Sequence, residues 1–229
     1  MFQMFLKLKF HVIMNIDFNI INNMINIDTK KQITGFFVYI IGFSGSGKLS
    51  TAIELSNMID ALIVNSNFSN NIQVRSIYDN VFEYDQIPEE VQDRIYNVAQ
   101  IMLQAIEAYP IHSKNYIFID ELMKNNDHNI KMYNSVVELS KRMDTKILPI
   151  VLKCNLPTLQ KRIKLKRQRE NKKVVNVSNI VEKFRTCNLF IPPSAIEIDN
   201  SNMSIKGVAE EITSQMCRLS QIDRIYLKG

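Results

Sequence analysis

The chain has 229 residues, 46% of them hydrophobic and 22% charged, with a formal charge of +5. That is the size of one well-buried core, and the composition is not that of a disordered chain. The longest unbroken hydrophobic run, Phe36 to Ile41, falls far short of the ~20 residues that span a membrane. Lys7, Lys9 and Asp17 interrupt the start, where a secretory signal needs a continuous apolar stretch. Cys154, Cys187 and Cys217 are widely spaced without a Cys-x-x-Cys pattern, so a reducing cytoplasm is the expected setting. His11, His112 and His128 stand apart, and no metal role is expected of them.

Residues 1–34 are set apart as an N-terminal extension. Leu6, Leu8, Phe10 and Val12 alternate with Lys7, Lys9 and His11, the period of an edge strand. The alternative is that the segment lies outside the core, ahead of a start at Met14 or Met24. From Phe36 onward, short apolar runs alternate with helical patterns. Phe36 to Ile41 reads as a strand, Leu49 to Ile59 as a helix through Ala52, Leu55 and Ile59, and Ala61 to Asn65 as a second strand. Pro88 and Glu89 open a long helix whose Val91, Ile95, Val98, Met102, Ala105 and Tyr109 form one apolar face until Pro110 stops it. Tyr116 to Asp120 is a third strand.

Asp127 is read as the cap of a helix carrying Met132, Val136, Leu139 and Met143. Lys146 to Lys153 is a fourth strand despite Pro149, which is unusual in a strand centre. Helices follow near Pro157 and around Val181, then a fifth strand at Ala195 to Ile198, and a last helix marked by Val208, Ile212, Met216 and Leu219. Strands buried on both faces and separated by helices imply an α/β fold with a parallel sheet.

The strongest motif is Gly42-Phe43-Ser44-Gly45-Ser46-Gly47-Lys48, between an apolar strand and a helical pattern. It matches G-x-x-x-x-G-K, in which glycines let backbone N–H groups and a helix N-terminus face phosphate oxygens while the lysine offsets their charge. The chain holds only six glycines, yet Gly35, Gly42, Gly45 and Gly47 fall together. A glycine turn with a surface lysine would not concentrate them so. Gly42, Ser44, Gly45, Ser46, Gly47, Lys48, Leu49, Ser50 and Thr51 are therefore the expected nucleotide-binding residues. Leu49 stands where the motif expects the magnesium-binding Ser or Thr, and Ser50 and Thr51 come next.

The string GFSGSGKLS resembles the loop of the adenylate kinase, shikimate kinase and gluconate kinase group of small P-loop kinases, and adenylate kinases carry the hydroxyl one place later, as Ser50 does here. NSNFSNN, YIFIDEL and ILPIVLKC look like fragments of small kinase-like ATP-binding proteins of this type. The resemblance spans roughly Phe36 to Leu219, with only the loop specific. It implies a three-layer P-loop fold over residues 35–229, a five-stranded parallel sheet in the order 2-3-1-4-5, and phosphoryl transfer from ATP.

The strand YIFIDE ends in Asp120 and Glu121. In P-loop proteins a carboxylate here holds magnesium, so Asp120 with Ser50 is the expected Mg2+ pair, and Glu121 could orient an attacking water. The bland alternative is a carboxylate pair capping a loop. Lys161 to Lys173 holds eight basic residues and one acid, leaving −2 for the rest of the chain. In the resembled kinases this place is the lid, which makes Arg162, Arg167 and Arg169 candidates for stabilising the transferring group. A solvated basic face is the plain alternative. A nucleic-acid contact is disfavoured, because no aromatic residues interleave the charges. The resemblance further places the acceptor near Asn65, Asn67, Asn70, Asn71 and Arg75, mostly amides where the relatives use charged groups.

The expectation is thus a cytoplasmic, ATP- and Mg2+-dependent kinase of a small polar acceptor, with no membrane association. The alternative is an ATPase or nucleotide-operated switch associated with a partner or nucleic acid.

Overall fold

The computed structural model describes residues 33–64, 88–111, 115–170 and 177–226, with the side chains of 166–170 and 221–226 outside the description. The expected edge strand at Leu6 to Val12 and the acceptor segment from Asn65 to Arg75 lie outside the described residues. Five parallel strands, β1 (Phe36–Ile41), β2 (Ala61–Val64), β3 (Asn115–Asp120), β4 (Lys146–Lys153) and β5 (Ile196–Asp199), form one sheet in the order β2-β3-β1-β4-β5. The helices are α1 (Lys48–Met58), α2 (Glu89–Ala108), α3 (Asp127–Arg142), α4 (Leu156–Glu170), α5 (Val177–Thr186) and α6 (Ile205–Tyr226). No helix among the described residues is long and apolar enough to cross a membrane.

The unbroken apolar run of β1 has its reason in the layers. Phe36, Val38 and Ile40 face a core built with Ala52 and Leu55 of α1 and Val208, Ile212 and Met216 of α6. Phe37, Tyr39 and Ile41 face the other core, with Ala99 and Leu103 of α2 and Met132, Val136 and Leu139 of α3. All six residues are buried, a gross stabilisation on the order of 10 kcal/mol, most of it offset by chain entropy.

Pro149 is tolerated because β4 is flanked only by β1 at that point. Pro149 pairs with Tyr39, and β5 joins one residue later, Ile196 opposite Ile150. At the amino end of the sheet, fully buried Asn115 accepts from Phe36 N at 3.0 Å and donates to the carbonyls of Ile33 and Asp60. It binds the segment entering β1 to the turn before β2, and Ile33 joins the core.

Two local expectations are corrected. Asn126, not Asp127, caps α3, its side chain accepting from Asn129 N; Asp127 sits in the first turn, where its charge suits the helix dipole. The apolar face expected of α2 is only partly the one it buries: Val91, Ile95 and Met102 are half-buried, and Met102 packs on the core. Ala99 and Leu103 are buried, whereas Val98 is 51% and Tyr109 85% exposed. The helix is turned so that Tyr96 and Gln100 bond Ser135 of α3.

Candidate active site at the phosphate loop

The loop leaves β1 at the carboxyl end of the sheet. Gly42 N donates to Asp120 O at 3.3 Å, keeping the loop registered with β3, and Ser46 N donates to Phe43 O at 3.0 Å to close a turn. Gly45 and Gly47 have φ of +88° and +97°, a region open to glycine and strained for other residues. Gly47 is the residue before α1, whose first turn carries no acidic side chain. The first N–H groups of a helix lack acceptors within it, so this end attracts anions. Lys48 is buried, with Nζ donating to Gly42 O at 2.5 Å and Phe43 O at 3.0 Å across the loop.

The glycines also serve the protein's own packing. A Cβ on Gly45 would lie 2.7 Å from Ile163 Cγ1, so its absence lets α4 sit against the loop. A Cβ on Gly42 would meet Ser46 Oγ at 2.5 Å, and that hydroxyl is buried without a hydrogen-bond partner among the described residues. At Gly47 the space is ordinary and the backbone angle is the constraint.

Asp120 and Glu121 are both buried at the end of β3. Burial pushes the Asp120 carboxyl up to about 6, against the pull of the Glu121 backbone N–H at 2.7 Å, the Lys48 charge and the Tyr39 hydroxyl. A cation beside it would hold it ionised. Glu121 is engaged at both oxygens: Ser44 Oγ donates to Oε2 at 2.8 Å, and Lys183 Nζ of α5 lies 3.5 Å from Oε1. Phe184, next on α5, packs its ring 5.0 Å from that of Phe43, so α5 meets the loop through an aromatic contact and the end of β3 through a polar one.

The guanidinium of Arg162 on α4 is drawn inward. Nη1 donates to Ser46 O at 3.1 Å and to Asn200 Oδ1 at 3.0 Å, and Nη2 donates to Asn200 O at 2.8 Å. Asn200, directly after β5, donates from Nδ2 to Ser46 O at 2.8 Å. Leu49 and Ser50 are exposed, whereas Thr51 is buried, so Ser50 is the hydroxyl after Lys48 that solvent reaches. The side chains of Arg167 and Arg169 lie outside the described residues.

Among the described residues no three His, Cys, Asp or Glu side chains gather as a metal cage. Asp120 is a buried carboxylate and Ser50 an exposed hydroxyl, oxygen donors of the kind that magnesium takes together with phosphate oxygens. A helix N-terminus, a glycine loop and a lysine are the donor types that suit phosphate oxygens.

No protein-family model matches the sequence, and no curated protein matches it. Solved structures do. A sugar kinase from Janibacter sp. HTCC2649 superposes with a TM-score of 0.56 at 12% identity, covering 79% of this chain and 94% of that one. A gluconokinase from Sinorhizobium meliloti 1021 gives 0.56 at 12% identity, covering 85% and 98%. The chain has the small P-loop kinase fold. At this identity the likeness is one of fold, and the strand order matches the order that the loop's resemblance implied.

Within this small P-loop kinase fold, three residues near the loop escape sequence reasoning. Asn200 has a signal that could have found it, since residues just beyond the carboxyl ends of parallel strands form the ligand crevice of open α/β sheets. Lys183 and Phe184 carry no local signal, because their partners lie far away in the chain.

Proposed function

We propose that the protein is an ATP-dependent kinase that transfers the γ-phosphoryl group to a small polar acceptor in the cytoplasm. The observation that carries this reading is Lys48, held across a glycine loop beside a helix N-terminus without acidic side chains, in a small P-loop kinase fold. Loop N–H groups hold the phosphates, and Lys48 exchanges the Gly42 and Phe43 carbonyls for phosphate oxygens. Asp120 and Ser50 hold magnesium, which when bound offsets charge on the phosphates. Arg167 and Arg169 add positive charge from a lid at about 161–173, and the acceptor binds near Asn65 to Arg75. Positioning and electrostatics carry most of phosphoryl transfer, so no dedicated base is needed.

Hydrolysis through Glu121 is the weaker reading, because Ser44 and Lys183 engage both its oxygens. ADP release should therefore depend on an acceptor. Screening MgATP consumption against sugars, hydroxy acids and nucleotides tests this, and Lys48→Ala should abolish the turnover. Acceptor-independent hydrolysis lost in Glu121→Gln would replace the kinase reading with an ATPase.

A further inference from the structure

The Ser46–Gly47 peptide is gripped by its carbonyl. Ser46 O accepts from both Arg162 Nη1 and Asn200 Nδ2, and Arg162 is itself fixed by two bonds to Asn200, which is 2% exposed. A trans peptide is planar and carries its C=O and N–H on opposite edges. A carbonyl fixed toward Arg162 and Asn200 therefore fixes the Gly47 N–H in the opposite direction. Among the described residues no acceptor meets that N–H. Glycine at φ +97° could turn this peptide over at little cost, so something other than its own backbone preference must select the orientation.

Resting on the phosphate-loop reading above, we infer that Arg162 and Asn200 are positioning residues that aim the Gly47 N–H at a bound phosphate. A guanidinium bonded to the carbonyl also polarises the peptide and strengthens that N–H as a donor. Arg162 thus acts on the phosphate through the loop, without touching it. A purely structural tie between α4, β5 and the loop would need the same bonds but would be indifferent to which edge of the peptide faces the ligand.

Asn200→Asp separates the two. Its carboxylate can still pair with Arg162, preserving the tie, but it places an acceptor against the Ser46 carbonyl in place of the Nδ2 donor. The experiment uses the 15N-labelled full chain, with ADP and inorganic pyrophosphate as probes. Amide spectra follow Gly47, calorimetry gives affinity, and thermal melts report folding. The wild type should bind both probes with a large downfield shift of the Gly47 amide proton. Asn200→Asp should remain folded through its pairing with Arg162, at a lowered thermal midpoint, yet lose that shift and bind about tenfold more weakly, and Arg162→Met should do the same where it folds. Folded Asn200→Asp with wild-type affinity and an unchanged Gly47 shift would overturn the positioning role while leaving the phosphate loop intact. Wild-type protein that binds neither probe would overturn the loop reading itself, and the inference with it.

Discussion

Lys183 of α5 places its Nζ 3.5 Å from Glu121 Oε1 at the end of β3, with the Glu121 side chain 5% and that of Lys183 17% exposed. A carboxylate this buried depends on its counter-charge, since breaking one side of a buried pair leaves the other desolvated and unpaired. Lys183→Met should cost about 2–4 kcal/mol in urea unfolding. Adding Glu121→Gln should recover most of it. A cost below about 0.5 kcal/mol would mean that the pair is screened like a surface one.

Asp120 makes stability depend on pH. Its folded pKa, about 6, lies above the ordinary range of an aspartate carboxyl, because burial disfavours the charge. The folded chain therefore holds its proton more tightly than the unfolded chain. Stability is lost as pH rises from about 4 through 6, and the penalty is complete above that. Asp120→Asn should raise stability by about 1–3 kcal/mol at pH 8, with the gain vanishing near pH 4, while phosphoryl transfer falls. Denaturant melts across that range check the sign. A gain that grew toward acid pH would contradict it.

Asn115 sits at the opposite end of β3 from Asp120 and serves the fold alone. Asn115→Ala would strip acceptors or donors from Phe36 N, Ile33 O and Asp60 O, a loss of about 2–4 kcal/mol. Nucleotide affinity of the folded fraction should stay within about twofold, since no bond of Asn115 reaches the loop. Calorimetry below the melting range makes the comparison.

Gly45→Ala combines a strained φ with a 2.7 Å approach to Ile163. The expected cost is about 1–3 kcal/mol, together with weakened nucleotide binding as α4 and the loop move apart. Ile163→Ala in the same chain should relieve the contact and not the backbone strain. Binding should then recover in part, which titration with ADP would show.

Much of this was legible because local pattern and tertiary need coincide. Six apolar residues in β1 can only be buried on two faces, and glycines gathered before Lys48 need a tight turn, so the central strand and loop stood out. The face of α2 did not. Apolar residues occupy more than one stripe of that helix, and only α3, through Ser135, decides which stripe turns inward. The basic run from Lys161 could not reveal that Arg162 is drawn to Ser46 and Asn200, because attraction between an arginine and distant carbonyls leaves no periodic trace. Asn126 and Asp127 are both capping residue types, and the choice between them rests on a backbone angle.

Whether Lys48 and its loop hold a nucleoside triphosphate is decided by titrating MgATP into the full chain and into Lys48→Met, with thermal melts confirming that both are folded. The wild type should show saturable one-to-one binding that the variant loses. Equal binding by both, or none by the wild type, would contradict that role of Lys48 and its loop.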